Sequence, residues 1–299
     1  MIKHLLKVAL TAAVTATVLT SCTVSEPEMP SGDASKMKLT AITSMGVTIM
    51  TVGYDRSDRI ESINYANEYK VEFAYGTSTS TVPETVTVSQ FEEYYGDGDK
   101  CELRLSEQDV WTNIQANASG FITEFDCKNT RWHEVYDDVS STYVRQPEIE
   151  QSTESFDYDA AGHLIMDKVL SVDGEGKPQI DITTYTWQNN LLMSYSDNDI
   201  KHHESATYEY SDVDNIHGQW DPNTRFGPIM ISGLFGNAPA KFMNKETYSY
   251  HDSESDYSES ETTQFSYALT DNGMIKYAKI LDSSGDVSMV MNYVYTLKK

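Results

Sequence analysis

The sequence feature that most constrains the fold is a repeated unit, and residues 156–165 form its clearest copy. They read Phe-Asp-Tyr-Asp-Ala-Ala-Gly-His-Leu-Ile: two aromatics two positions apart, a polar turn with Gly, then a new apolar run. Residues two apart on a strand share a face, so Phe156 and Tyr158 are predicted neighbours on one side of a strand. Gly162 accepts the positive φ of a tight turn, and Leu164 begins the returning strand.

The unit recurs along the second half of the chain, with an aromatic pair before a turn rich in Asn, Asp or Gly. The further pairs are Tyr185/Trp187, Tyr208/Tyr210 and Phe265/Tyr267. Each unit is a strand hairpin that can bury its aromatic face only against its neighbours. The repeat therefore predicts an all-β fold, an antiparallel meander of hairpins forming a curved or barrel-like sheet.

One segment departs from this pattern. Residues 218–241 are apolar and rich in Gly and Pro but show no alternation with period two. We expect a long crossing loop with a short helical turn, which folds over a sheet face or plugs one end of the sheet.

The N-terminal sequence predicts a location in the cell envelope. Residues 1–21 have a basic start and an apolar run too short to span a membrane, as in a signal peptide. They end in Leu-Thr-Ser before Cys22, which resembles the bacterial lipobox, in which the Cys becomes the lipidated first residue of the mature chain. Lipidation of Cys22 would anchor the protein to the membrane. An ordinary secretory signal with an incidental Cys is the alternative.

The rest of the chain divides into a predicted flexible tether over residues 22–40 and a single β-repeat domain over residues 41–299. The formal net charge of −24 repels phosphate backbones, which argues against nucleic-acid binding. Cys101 and Cys127 lack the C-x-x-C spacing of a redox or zinc site. Outside the cytoplasm they form either a disulfide or two ordinary strand cysteines.

The aromatic–turn–Gly unit resembles the tyrosine–aspartate repeats of bacterial surface proteins. Together with the lipobox-like end of the signal and the Leu-Phe-Gly-Asn-Ala-Pro interruption at residues 234–239, it makes residues 45–297 resemble a Bacteroidota family of lipoproteins. That family is catalogued as domain of unknown function 4595, with a porin-like fold. The resemblance implies a curved or barrel-like antiparallel sheet, and it implies no catalytic residues and no ligand.

A lipid-anchored sheet is expected rather than a transmembrane barrel. A membrane barrel needs an apolar lipid-facing row on every strand, and residues 148–154, Glu-Ile-Glu-Gln-Ser-Thr-Glu, offer none. The predicted location is the outer membrane, on the cell surface or on its periplasmic face.

The sequence contains no recognisable catalytic constellation, so we expect a protein without enzymatic activity, cofactor or metal. The best metal-like cluster is His202-His203-Glu204, for which a polar edge strand is the favoured interpretation. The predicted function is a surface binding module for a glycan or a protein. A structural or assembly lipoprotein is the alternative, and a hydrolase using two carboxylates is a third.

The aromatic repeat predicts either a platform for sugar rings or, as the favoured interpretation, the core of the sheet. Three tryptophans outside the repeat are better candidates for ligand contact, namely Trp111, Trp132 and Trp220.

Overall fold

The fold is that of a computed structural model, which describes residues 33–66, 68–95, 101–137, 142–172, 176–199, 201–221, 227–282 and 284–298. Within these residues the chain forms sixteen strands and two short 3₁₀ helices, at Ala34–Lys36 and Pro228–Ser232. In chain order the strands are β1 (Met37–Ser44), β2 (Val47–Tyr54), β3 (Ile60–Tyr65), β4 (Tyr69–Ala74), β5 (Thr85–Tyr95), β6 (Cys101–Ala116), β7 (Ile122–Asp137), β8 (Thr142–Tyr158), β9 (Leu164–Val172), β10 (Pro178–Gln188), β11 (Leu191–Asp197), β12 (His202–Asp214), β13 (Lys241–Asp252), β14 (Tyr257–Leu269), β15 (Ile275–Leu281) and β16 (Val287–Leu297).

The strands follow one another in sequence order, and the sheet closes as a barrel because β16 pairs with β1. The closing pair is antiparallel, with Met37 opposite Leu297 and Thr43 opposite Asn292. The predicted all-β antiparallel meander of hairpins is therefore confirmed. The signal peptide and Cys22 lie outside the described residues. The predicted tether over residues 22–40 is too long at its end, because β1 begins at Met37 and residues 37–40 belong to a strand.

The chain forms two compact units. The first contains the described residues up to Val52, residues 156–167 and residues 181 onward. Its core holds Ile42, Leu192, Ile275 and Tyr293, among others.

The second unit contains residues 53–155 and 168–180. Its core is built from alternating strand residues, as β4 illustrates: Tyr69, Val71 and Phe73 are buried, while Glu72 between them is exposed. A period of two on a pleated strand sends successive side chains to opposite faces, which accounts for this alternation.

The aromatic repeat supplies core residues, as favoured from the sequence. The first aromatic of each pair is buried: Phe156, Tyr185, Tyr208 and Phe265 are 3–7% exposed. The second aromatic lies nearer the end of its strand, and in two copies its polar group donates a hydrogen bond to a neighbouring strand. The Trp187 indole N–H donates to the Leu164 carbonyl (2.8 Å), and the Tyr210 hydroxyl donates to the Leu192 carbonyl (2.8 Å). Each of these two hydrogen bonds joins one strand to the preceding one.

One hydrogen-bonding pattern recurs in the hairpin turns. In the copy at residues 159–163, Asp159 Oδ1 accepts from the N–H groups of Ala161 and His163, and Gly162 adopts a φ of 81°. Asn117 accepts in the same way from Ser119 and Phe121. An Asx side chain that bonds backbone two and four residues on stabilises a tight turn, which explains why Asp and Asn stand at these positions.

The crossing segment over residues 218–241 is confirmed as a long interruption between β12 and β13, with one 3₁₀ turn at Pro228–Ser232. Its described apolar residues Ile229, Met230 and Phe235 are at most 1% exposed. Phe235 packs edge-on against Phe156, with ring centroids 5.3 Å apart. Residues 222–226, which include Pro222 and Phe226, lie outside the described part of the chain.

Hydrogen bonds of the crossing segment, and of His217 just before it, reach three hairpin turns of the first unit. Asn237 Nδ2 donates to the Ala161 carbonyl (2.7 Å), the Ala240 N–H donates to the Asn190 carbonyl (2.9 Å), and His217 Nε2 lies 2.6 Å from the Asn272 carbonyl oxygen. The segment is therefore a part of the core of the first unit rather than an exposed loop.

Candidate ligand-binding face

The hairpin of β7 and β8 continues beyond the core of the second unit, and we call residues 131–137 and 142–149 the β7–β8 arm. Throughout the arm, the described side chains of both strands are exposed or half-buried, whichever face they occupy. A strand with solvent on both faces buries little apolar surface. Packing therefore does not determine which residues the arm contains, and these residues can serve binding.

The register of the two strands collects aromatic and charged side chains on one face of the arm. Trp132 is opposite Pro147, Glu134 opposite Arg145, and Tyr136 opposite Tyr143. Because residues two apart share a face and opposite residues do so too, these six side chains form one strip, which we call the aromatic face.

The aromatic face combines the surfaces of aromatic rings with the guanidinium of Arg145, which is held in place by its contacts. Tyr136 and Tyr143 are 50% and 66% exposed, and their rings meet edge-on at 5.3 Å between centroids. The Arg145 Cζ atom lies 5.6 Å from the centre of the Trp132 ring, within the range of a cation–π contact. Arg145 Nη2 also donates to the carbonyl of Leu105 in β6, which ties the arm to its neighbouring strand.

The aromatic face has the chemistry that recognises a sugar. Flat rings offer stacking surface, and the Glu134 carboxylate and Arg145 guanidinium offer an acceptor and fixed donors for hydroxyl groups. Trp132 and Tyr136 are four residues apart, about 14 Å along an antiparallel strand. That length accommodates a chain of sugar rings rather than a single small molecule.

Of the three tryptophans predicted to contact a ligand, only Trp132 lies on this face. Trp111 is 1% exposed and stacks on Phe125, with ring centroids 4.4 Å apart and planes 13° apart, so its assignment as a ligand contact is wrong. Trp220 is 8% exposed, and its indole N–H donates to the Gly236 carbonyl at 3.3 Å. The assignment of Trp220 is wrong too, because Trp220 belongs to the crossing segment and is buried within it.

Tyr136 and Tyr143 were missed by the sequence analysis. They flank residues 137–142, Asp-Asp-Val-Ser-Ser-Thr, which is the arrangement of a hairpin end with an aromatic pair on its last rungs. The sequence signal for this pair is an aromatic residue on each side of a turn, which differs from the repeat, where two aromatics stand two residues apart on one strand.

The disulfide alternative for Cys101 and Cys127 is wrong, because both are free thiols. Cys127 on β7 is opposite Trp111 on β6, and Cys101 lies ten residues before Trp111, at the start of β6. Ten strand residues span about 33 Å, whereas the Cα atoms of a disulfide lie within about 7 Å of each other. Cys101 is exposed and Cys127 is buried.

A polar cluster around the buried Asp109 lies beside Cys127 in the second unit. Asn129 Nδ2 donates to Asp109 Oδ1 and to Glu107 Oε1, both at 2.6 Å. Burial raises the pKa of Asp109 to about 6 despite the hydrogen bond from Asn129. Burial, followed by the nearby Asp109 and Glu154 carboxyls, raises the pKa of the Cys127 thiol.

Among the residues that the structure describes, no group of three or more His, Cys, Asp and Glu side chains is arranged to hold a metal ion. The three residues of the predicted metal-like cluster do not converge. His203 Nδ1 contacts Asp197 Oδ1 at 3.0 Å, while Glu204 is buried and His202 Nδ1 lies 3.7 Å from Asp252 Oδ1. No helix in the described ranges is both long and apolar enough to cross a membrane.

No protein-family profile matches the chain, and no curated protein matches it in sequence. Among solved structures, it is similar to a porin-like protein from Bacteroides uniformis, at 13% identity and a TM-score of 0.41, over 85% of this chain and 91% of that one. A porin-like protein from Bacteroides vulgatus matches at 12% identity and a TM-score of 0.34, over 86% of this chain and 98% of that one. These likenesses are too weak to carry an argument, so membership of domain of unknown function 4595 stays a prediction.

Proposed function

We propose that this protein is a lipid-anchored protein of the cell envelope that binds a glycan through the aromatic face of the β7–β8 arm. The observation that carries the proposal is the strip of Trp132, Tyr136 and Tyr143 around the Glu134–Arg145 pair, on strands that bury little of their own surface. Tyr136 and Tyr143 are exposed and Trp132 is half-buried, and a ligand that stacks on these rings accounts for their position.

A glycan fits this face better than a protein partner does. The centre of a protein interface is an apolar patch depleted in charge, from which water is excluded. Here a charged pair, Glu134 and Arg145, occupies the middle rung of the strip, and the rings stand on either side of it. Alternating stacking and hydrogen-bonding groups match a ligand that alternates apolar ring faces and hydroxyls.

Anchoring through Cys22 fits the distribution of charge on the strands. On the side of β4 opposite its buried residues, Lys70 and Glu72 form an ion pair with 2.7 Å between Nζ and Oε1. On β12 and β13, Lys245 and Glu209 do the same at 2.7 Å. Charged residues on lipid-facing positions destabilise a membrane barrel, so we assign attachment to an acylated Cys22 rather than to the sheet.

The glycan proposal is tested by affinity electrophoresis of the mature protein through gels containing xylan, mannan, starch glucan or mucin glycans. At least one gel is expected to retard the protein. Trp132→Ala should lose about 2 kcal/mol of binding, as for a central aromatic contact, which is about a thirtyfold weaker affinity. His133→Ala is the matched control because His133 lies on the opposite face of the same strand. Equal retardation of Trp132→Ala and wild type would refute the proposed face.

Anchoring is tested separately by growing cells with a labelled fatty acid and separating their membranes. The wild-type protein should carry the label and sediment with the membrane fraction. Cys22→Ser should lose both properties. A labelled Cys22→Ser protein, or an unlabelled wild-type protein, would contradict anchoring at this residue. Purification with an outer-membrane protein, without retardation by any glycan gel, would instead favour the structural or assembly role.

A further inference from the structure

Two histidines form a cross-strand pair at the ends of β12 and β13 in the first unit. The register places His203 directly opposite His251. Opposite residues on antiparallel strands share a face, with Cβ atoms about 5 Å apart. The pair continues a row of polar pairs on that face, Ser205 with Ser249 and then Thr207 with Thr247. His203 is 41% exposed at its side chain, and His251 is exposed, so solvent reaches both rings.

Both rings are held through the same nitrogen. His203 Nδ1 lies 3.0 Å from Asp197 Oδ1 on β11, and His251 Nδ1 lies 2.9 Å from Ser258 Oγ on β14. The Asp197 carboxylate, 1% exposed at its side chain, accepts a hydrogen bond and so favours the tautomer of His203 with its proton on Nδ1. In that tautomer Nε2 carries a free lone pair.

The directions of these bonds turn the two Nδ1 atoms away from each other. The strands lie in the order β11, β12, β13, β14, so each Nδ1 is turned towards the outer strand and away from the other histidine. The two nitrogens of an imidazole point to opposite sides of the ring, which directs each Nε2 towards the gap above β12 and β13. Within the described part of the chain, neither Nε2 takes part in a hydrogen bond.

We propose that His203 and His251 bind a first-row divalent transition-metal ion through their Nε2 atoms, with water completing its coordination. Metal-ligating histidines usually have their other ring nitrogen bonded to a carboxylate or another oxygen, which fixes the ring orientation. Asp197 accepts from His203 in this way, and Ser258 Oγ holds the His251 ring at its Nδ1. Imidazole nitrogens bind copper, nickel and zinc, and the affinity follows the order in which Cu²⁺ exceeds Ni²⁺ and Zn²⁺. The site has two protein ligands and is exchangeable rather than structural.

The surroundings favour a cation. Lys201 precedes His203 by two residues, and its ammonium is paired with Glu254 at 2.5 Å. The chain as a whole carries a net charge of −24, which raises the local concentration of cations. This proposal does not rest on the glycan-binding face, which belongs to the other unit.

The test is an isothermal titration of the untagged, full mature protein with Cu²⁺ in a non-chelating buffer, repeated with Ni²⁺ and Zn²⁺. Wild type should bind Cu²⁺ more tightly than the other two ions. His203→Ala and His251→Ala should each weaken Cu²⁺ binding at least tenfold, and electron paramagnetic resonance should lose the signature of two nitrogen ligands. Ser258→Ala should weaken binding about tenfold, since it removes the outer partner of one ligand.

His202→Ala is the matched control. His202 is the sequence neighbour of His203 and is also exposed, but it faces the other side of the sheet and is opposite Asp252. Its variant should bind Cu²⁺ as wild type does, and circular dichroism should show all variants folded. The proposal is overturned if wild type binds no Cu²⁺, if the His203 and His251 variants bind it unchanged, or if His202→Ala loses as much affinity as they do.

Discussion

Asp221 in the crossing segment offers the sharpest test of how the first unit is held together. Its carboxylate is buried, and it accepts two hydrogen bonds: Tyr267 Oη donates to Oδ2 at 2.6 Å, and Tyr293 Oη donates to Oδ1 at 2.8 Å. Burial, followed by the charge of Asp221, raises the pKa of both tyrosines well above its ordinary value. Both hydroxyls therefore remain protonated donors, and Asp221→Ala leaves them without this acceptor.

The magnitude follows from the two bonds. Leaving a buried donor unsatisfied costs about 1–3 kcal/mol, so Asp221→Ala should lower the free energy of unfolding by about 4 kcal/mol. Asp221→Asn keeps the shape and an acceptor but removes the charge. Hydrogen bonds to charged groups are worth about 1 kcal/mol more than neutral ones, so Asp221→Asn should lose about 2 kcal/mol.

Urea unfolding followed by circular dichroism measures these differences. Asp212→Ala is the control, since Asp212 is exposed and a surface change of this kind should stay within about 0.5 kcal/mol. Tyr293→Phe combined with Asp221→Ala should cost less than the sum of the single changes, because both remove the same bond. A loss of under about 0.5 kcal/mol for Asp221→Ala would refute the idea that this carboxylate fixes the segment.

Three further outcomes are expected. Burial raises the pKa of Asp109 from 3.8 to about 6, so between these pH values the folded state binds a proton that the unfolded state has lost. The free energy of unfolding should therefore fall by roughly 3 kcal/mol as pH rises from about 4 to 6. Urea unfolding of Asp109→Asn should no longer show this fall, and an unchanged fall would assign it to other groups. Trp111→Ala should cost about 3–5 kcal/mol in thermal or urea unfolding, whereas Trp132→Ala should stay within about 0.5 kcal/mol; equal losses would contradict their different burial. In a Cys22→Ser background, a maleimide should label Cys101 in the native protein and Cys127 only after unfolding, as mass spectrometry can read; labelling of neither without reductant would indicate a disulfide.

The fold could be predicted because its signal is local and repeated. A pair such as Phe156 and Tyr158 fixes which face of a strand is buried, and the Asx and Gly of the next turn fix where the strand reverses. Closure of the sheet could not be predicted in this way. It depends on pairing between β1 and β16 at opposite ends of the chain, which no local pattern records.

The candidate site was only partly predictable for a related reason. Trp111, Trp132 and Trp220 all stand outside the repeat, and the sequence does not distinguish a tryptophan packed against Phe125 from one on an exposed hairpin arm. Burial is decided by tertiary neighbours, such as Gly236, whose carbonyl accepts from the Trp220 indole. The position of His203 opposite His251 likewise depends on the register between β12 and β13, which the crossing segment separates in sequence.

The central claim, that the aromatic face receives a glycan, is tested most directly by tryptophan fluorescence during titration with the oligosaccharide of the most strongly retarding gel. The chain has four tryptophans, and Trp111 and Trp220 are buried. Stacking of a sugar on Trp132 should change the emission of wild type in a saturable way, and Trp132→Phe should abolish the change while Trp187→Phe retains it. A change that persists in Trp132→Phe with the wild-type midpoint would place the ligand elsewhere and contradict the account.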